Sequence, residues 1–160
     1  MVNIEQISID ENLHPDGDQR IILLPQNYEL VNNKEDLFFN EEIKTVGKMF
    51  SMNSLDNYII KFDGKEIDSY IAQKSGEIIL PSLFISSLIL TESPQLVSIA
   101  LGVISNYATT LLKGIPKRNQ TVKFKIINKN SKTKKLSKIV YKGNVEGISE
   151  LAKVVKELNK

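Results

Sequence analysis

Between Ile78 and Leu112 the chain carries a single charged side chain, Glu92. A stretch this poor in charge either crosses a bilayer or forms the centre of a soluble core, and the rest of the chain must be arranged around it. Ser, Thr, Gln and Asn interrupt the run and Pro94 sits in its middle. No window of about 18 uninterrupted apolar residues exists, so the segment reads as core and no membrane partner is expected. Within it, "SPQLVSIALGVISNYATTLLKG" (93–114) has the punctuation of one soluble helix. Ser93 is the expected N-cap, Pro94 takes the first helical position and Gly114 lies just past the last turn. Apolar side chains surround that helix, which makes it either central or shared between subunits. Ser98, Gly102 and Ser105 would permit close approach of a second helix or accommodate a neighbouring sheet.

A chain of 160 residues supports one core. Its 41% hydrophobic and 25% charged residues are ordinary for a globular protein. The expected fold class is α+β, an antiparallel or mixed sheet packed by the long central helix and a C-terminal helix. Residues 1–20 form an N-terminal arm or edge strand and residues 21–160 the single globular domain. Within that domain "RIILLP" predicts a buried strand over 21–24, stopped by Pro25. Asn40, Glu41 and Glu42 open a helix over 41–51 whose apolar positions are Ile43, Val46 and Phe50. Asp63-Gly64 supplies the positive-φ pair of a two-residue turn, predicting a hairpin of strands 58–62 and 65–71. A strand over 77–80 follows.

The C-terminal third predicts strands over 121–128 and 136–142 and a terminal helix with the apolar stripe Ile148, Leu151, Ala152, Val155 and Leu158. The two strands and their loop hold eight lysines, Lys123, Lys125, Lys129, Lys132, Lys134, Lys135, Lys138 and Lys142, with no acid before Glu146. Strand alternation puts Val122, Phe124 and Ile126 on one face and Lys123 and Lys125 on the other; Lys138, Val140 and Lys142 likewise oppose Ile139 and Tyr141. Four lysines would then cover an outward face. Like charges facing each other across strands cost roughly a few tenths of a kcal/mol per pair, a cost an anion would relieve. Backbone phosphates are the obvious candidate.

Charge is unevenly spread along the chain. Residues 1–60 hold 4 basic and 11 acidic side chains (net −7), whereas residues 113–160 hold 14 and 3 (net +11). Such asymmetry points to an anionic partner or to mutual neutralisation, within one chain or across a dimer. Of the 21 basic residues 19 are lysine, a bias suggesting AT-rich coding DNA and a bacterial source. Arg118 is the one arginine near the hairpin, and both hairpin aromatics, Phe124 and Tyr141, fall on the predicted inner face. Sequence-specific reading of bases and stacking on exposed rings are therefore not expected.

Catalytic constellations are few. With no cysteine and His14 as the one histidine, thiolate chemistry, histidine triads and multi-histidine metal sites are excluded within one chain. The acids around His14 (Asp10, Glu11, Asp16, Asp18) lack the ordered spacing of a calcium loop. Asp36 followed by Glu42-Ile43-Lys44 imitates a nuclease motif, but that pair falls in a helix, where residues two apart diverge. Asp63 and Glu66 flank a tight turn and lack a suitably placed lysine. "KGNVEG" (142–147) invites a phosphate-loop reading, yet matches no glycine fingerprint and places Glu146 where the phosphate would go. A Gly143-Asn144 turn, with Asn144 capping the last helix, is the simpler account.

These features lead to the expectation of a non-catalytic interaction or adaptor subunit of a bacterial cytoplasmic system, associating with a protein partner or with itself through charge-separated surfaces. No cofactor and no metal are expected, and the cytoplasmic location follows from the absence of a leader-like apolar run in residues 1–20. The alternative is non-specific nucleic-acid binding through the eight lysines of the hairpin.

Overall fold

The computed structural model describes residues 1–7, 21–24, 38–40, 42–59, 65–67, 77–130, 132–133 and 135–158. In chain order these form β1 (Val2–Ile7), β2 (Ile21–Leu24), β3 (Phe38–Asn40), α1 (Glu42–Met52), β4 (Asn57–Ile59), β5 (Lys65–Ile67), β6 (Glu77–Ile79), β7 (Ser82–Ile85), α2 (Ser87–Glu92), α3 (Gln95–Leu111), β8 (Thr121–Lys129), β9 (Leu136–Gly143) and α4 (Leu151–Leu158). The fold is α+β. Its main sheet is mixed, with strand order β1-β9-β8-β7-β2-β4 and β6 also pairing with β8; β3 and β5 form a separate parallel pair.

The alternation in the sequence becomes visible as rows across this sheet. Ile4, Ile139, Ile126, Leu83, Leu23 and Ile59 stand opposite one another over six strands. Leu23, Leu83, Ile126 and Ile139 join the core, which the helices complete with Ile43, Val46 and Phe50 of α1, Val97, Leu101 and Ile104 of α3, and Leu151 and Val155 of α4. The adjacent row, Ile22, Phe84, Ile127, Lys138 and Glu5, lies on the opposite face. Its first three members are only 1–2% exposed. The central strands are thus buried on both faces, which is why β2 and β7 read as continuous apolar runs instead of alternating.

β6 and β7 follow each other along the same edge of β8. Ile79 opposes Lys123 and Leu83 opposes Ile126, so four steps on one side match three on the other. The extra residue sits at the Leu80-Pro81 corner, where Leu80 N–H still reaches the Lys123 carbonyl (2.9 Å). A proline without an N–H is well suited to such a bulge.

Of three expectations, the first lies outside the described residues and the other two are corrected. The hairpin about Asp63-Gly64 would pair residues 58–59 with 68–69 and residues 65–67 with 60–62, so each of its pairs includes a residue outside the described ones; within them β4 runs parallel to β2 and β5 parallel to β3. The Asp63-Gly64 turn itself lies outside the described residues. β2, buried along its length, has β4 on one side and β7 on the other. Secondly, Ser93 does not cap the long helix. It closes the short helix α2 through its N–H to the Ile89 carbonyl (2.9 Å), while Ser86 caps α2 by accepting from Ile89 N–H (3.3 Å). Pro94 precedes α3 without a side-chain cap. Thirdly, α3 is not buried all round: Val97, Ala100, Leu101, Ile104 and Ala108 face the core, whereas Ser98, Ile99, Asn106 and Thr109 are exposed. Among the described residues no helix is long and apolar enough to cross a membrane.

Candidate functional site

The two strands carrying the lysines pair as an antiparallel hairpin, β8 with β9, in the register Lys123↔Lys142, Lys125↔Val140 and Ile127↔Lys138. Residues opposite each other share a face. Lys123, Lys125, Lys138 and Lys142 therefore stand on one side, and Val122, Phe124, Ile126, Ile139 and Tyr141 are buried on the other. Of the remaining lysines, Lys129 ends β8 half-buried opposite Leu136, Lys132 and Lys135 are exposed in the connecting loop, and Lys134 lies outside the described residues. The loop is tied by Asn130, whose Oδ1 accepts from Lys132 and Thr133 N–H (2.8 and 3.0 Å) while its Nδ2 donates to the Leu158 carbonyl at the end of α4 (2.8 Å).

The lysine face carries its own counter-charges. Lys123 Nζ meets Glu77 of β6 at 2.8 Å, and Lys138 Nζ meets Glu5 of β1 at 2.8 Å. Both acids come from the strands flanking the hairpin, one on each side. The Lys123 hydrogen bond and charge, with a smaller contribution from Lys142, hold the Glu77 carboxyl below its ordinary pKa. Lys142, opposite Lys123, is exposed. Between the lysines the face is apolar: a groove of about 280 Å³ is bounded by Ile79, Val140, Lys123 and Lys125.

The "KGNVEG" turn is organised around Tyr141. Its hydroxyl donates to the Asn144 carbonyl (2.7 Å), and Asn144 Oδ1 accepts from Gly147 N–H (3.0 Å), capping a 3-10 turn over Val145–Ile148. A Cβ at Gly143 would stand 2.7 Å from that hydroxyl, and one at Gly147 would collide with it. The glycines exist to let the phenol ring lie against the backbone. The space a phosphate loop would keep for its anion is filled by the protein's own side chain. Burial, followed by the charges of Glu150 and Glu146, raises the Tyr141 pKa. Beside this turn a second groove, about 720 Å³, opens between Val2 of β1 and Leu151 and Val154 of α4.

Few of the residues weighed for catalysis fall among the described ones. His14, Asp10, Glu11, Asp16, Asp18, Asp36 and Asp63 lie outside the described residues, Lys44 is on α1, and Glu66 is in β5. Among the described residues no three His, Cys, Asp or Glu side chains are grouped to hold a metal ion. The features that residue patterns missed are the counter-ions Glu5 and Glu77 and the buried Asn128. Asn128 is 1% exposed, and neither its Oδ1 nor its Nδ2 has a hydrogen-bond partner among the described residues. Comparison with family models, curated proteins and solved structures finds no match to this chain.

Proposed function

We propose that the chain is a non-catalytic interaction subunit of a bacterial cytoplasmic system, working through protein surfaces and not through phosphates. The observation carrying this reading is the pair of ion pairs across the hairpin, Lys123–Glu77 and Lys138–Glu5. Lysines already matched to carboxylates at 2.8 Å release few counterions when a polyanion approaches, and each phosphate contact must first displace an acid of the same molecule. A further support is the apolar surface on β1, where Val2 and Ile4 are 39% and 49% exposed. Exposed aliphatic side chains on a strand that, among the described residues, has a neighbour on one side only suit a protein partner better than a nucleic acid.

Binding of labelled DNA and RNA at about 50 and 200 mM salt tests the reading. It predicts weak complexes little changed by substituting Lys123, Lys125, Lys138 and Lys142 with Glu. A submicromolar complex that weakens about a thousandfold over that salt range, and that the four substitutions abolish, overturns it in favour of the polyanion binder.

A further inference from the structure

β1 lies at one end of the main sheet, paired on one side with β9. The direction of its hydrogen bonds can be read from Met1 and Lys142, which exchange both backbone bonds (2.8 and 3.0 Å). In an antiparallel ladder such doubly bonded pairs alternate with unbonded ones. The register Asn3↔Val140, Glu5↔Lys138 and Ile7↔Leu136 then turns the backbone of the odd residues toward β9. The N–H and C=O groups of Val2, Ile4 and Gln6 point away from the sheet, a ladder without a second strand among the described residues.

We propose that this ladder is completed by β1 of a second copy of the chain, antiparallel about a two-fold axis at Ile4. The inference deepens the interaction-subunit reading and rests on it. Only one two-fold register pairs all six outward groups: Val2 with Gln6 of the other copy, Ile4 with Ile4, and Gln6 with Val2. In that register Glu5 faces Asn3, so no like charges meet across the axis. Its carboxylate stays with Lys138 of its own chain, 2.8 Å away. The aliphatic row that ends in the half-exposed Ile4 continues without interruption into the row of the second copy.

The usual protections of a free edge are missing from this strand. "VNIEQI" has no proline, no lysine and no glycine, and its one charge is already neutralised. An edge of this kind is a ready template for pairing with another chain. On the helix side the groove beside Val2 is lined by Glu146, Glu150 and Lys153. A partner peptide of another protein would also find backbone groups here, but the Ile4–Ile4 and Glu5–Asn3 matches are properties of the strand with itself.

The absence of cysteine makes the test direct. In an antiparallel bonded pair the Cα atoms are about 5.5 Å apart, within disulfide reach. Positions 6 and 6 of two copies would be about 14 Å apart in this register, beyond reach. Under mild oxidation Ile4→Cys is expected to form a disulfide dimer at least about tenfold faster than Gln6→Cys, and a mixture of Val2→Cys and Gln6→Cys chains to cross-link with each other. Equal rates for Ile4→Cys and Gln6→Cys, cross-linking of Gln6→Cys alone, or a wild-type chain that is monomeric by sedimentation at all concentrations overturns the proposal. Those outcomes leave the interaction-subunit reading intact. Tight, salt-dependent nucleic-acid binding overturns that reading whatever the cross-linking result.

Discussion

β8 and β1 flank the same strand, β9, and both pair with it antiparallel, yet one lies inside the described sheet and the other at its end. Their patterns are alike: Val122, Phe124 and Ile126 alternate with lysines, and Val2 and Ile4 alternate with Asn3 and Glu5. Phe124 and Ile126 are at most 2% exposed, whereas Val2 and Ile4 are 39% and 49%. Alternation selects which face a side chain takes. How deeply it is buried depends on how many strands and helices lie beyond it. β8 has β6 and β7 on its far side; β1 has no strand there among the described residues.

Substitution should separate the two strands widely. Phe124→Ala removes a fully buried ring and is expected to cost about 3–5 kcal/mol in urea unfolding. Ile4→Ala, measured at protein concentrations where the chain is dissociated, should cost less than about 1 kcal/mol. Similar losses at the two positions would break the comparison. A smaller effect of opposite sign is expected further along β8, where Asn128 sits opposite Ile85 and Ser137. Because both polar atoms of its amide are buried without a partner among the described residues, Asn128→Leu should stabilise the protein by about 1–2 kcal/mol; a loss would mean that the amide is satisfied by a group outside them.

The smallest effect concerns charge. The folded-state pKa of Glu77 lies below its ordinary value because Lys123 bonds and attracts the carboxylate. Its contribution is therefore present above the unfolded-state pKa and lost as pH falls through the folded-state value. Lys123→Met should slightly flatten the acid side of the stability profile and leave the neutral plateau nearly unchanged, since an exposed ion pair contributes little. A profile steepened by the substitution would contradict the assignment.

What could be read from residues alone follows the range of the forces involved. The hairpin strands, β2, α1, the long helix and the stripe on α4 all announce themselves by local period, and their bounds fall within a few residues of expectation. The lysine face was legible for the same reason, since strand alternation alone places Lys123, Lys125, Lys138 and Lys142 together. Its neutralisation was not, because Glu5 and Glu77 become neighbours of Lys138 and Lys123 only through the strand order. α2 hid inside an apolar run, as six residues give too little period to distinguish helix from strand. Gly143 reads as a turn residue, and Gly147 carries no local signal of its own. Their role in admitting the Tyr141 ring emerges only when a strand and the turn after it are seen in contact.

Amide hydrogen exchange along Val2–Ile7, followed as the protein is diluted, tests the open edge of β1 most directly. The account predicts that the amides of Asn3 and Glu5, bonded to β9, stay protected at every concentration, while those of Val2, Ile4 and Gln6 are protected when concentrated and lose protection on dilution. Protection of the even-numbered amides that persists at all dilutions, or its absence even in concentrated solution, would contradict it.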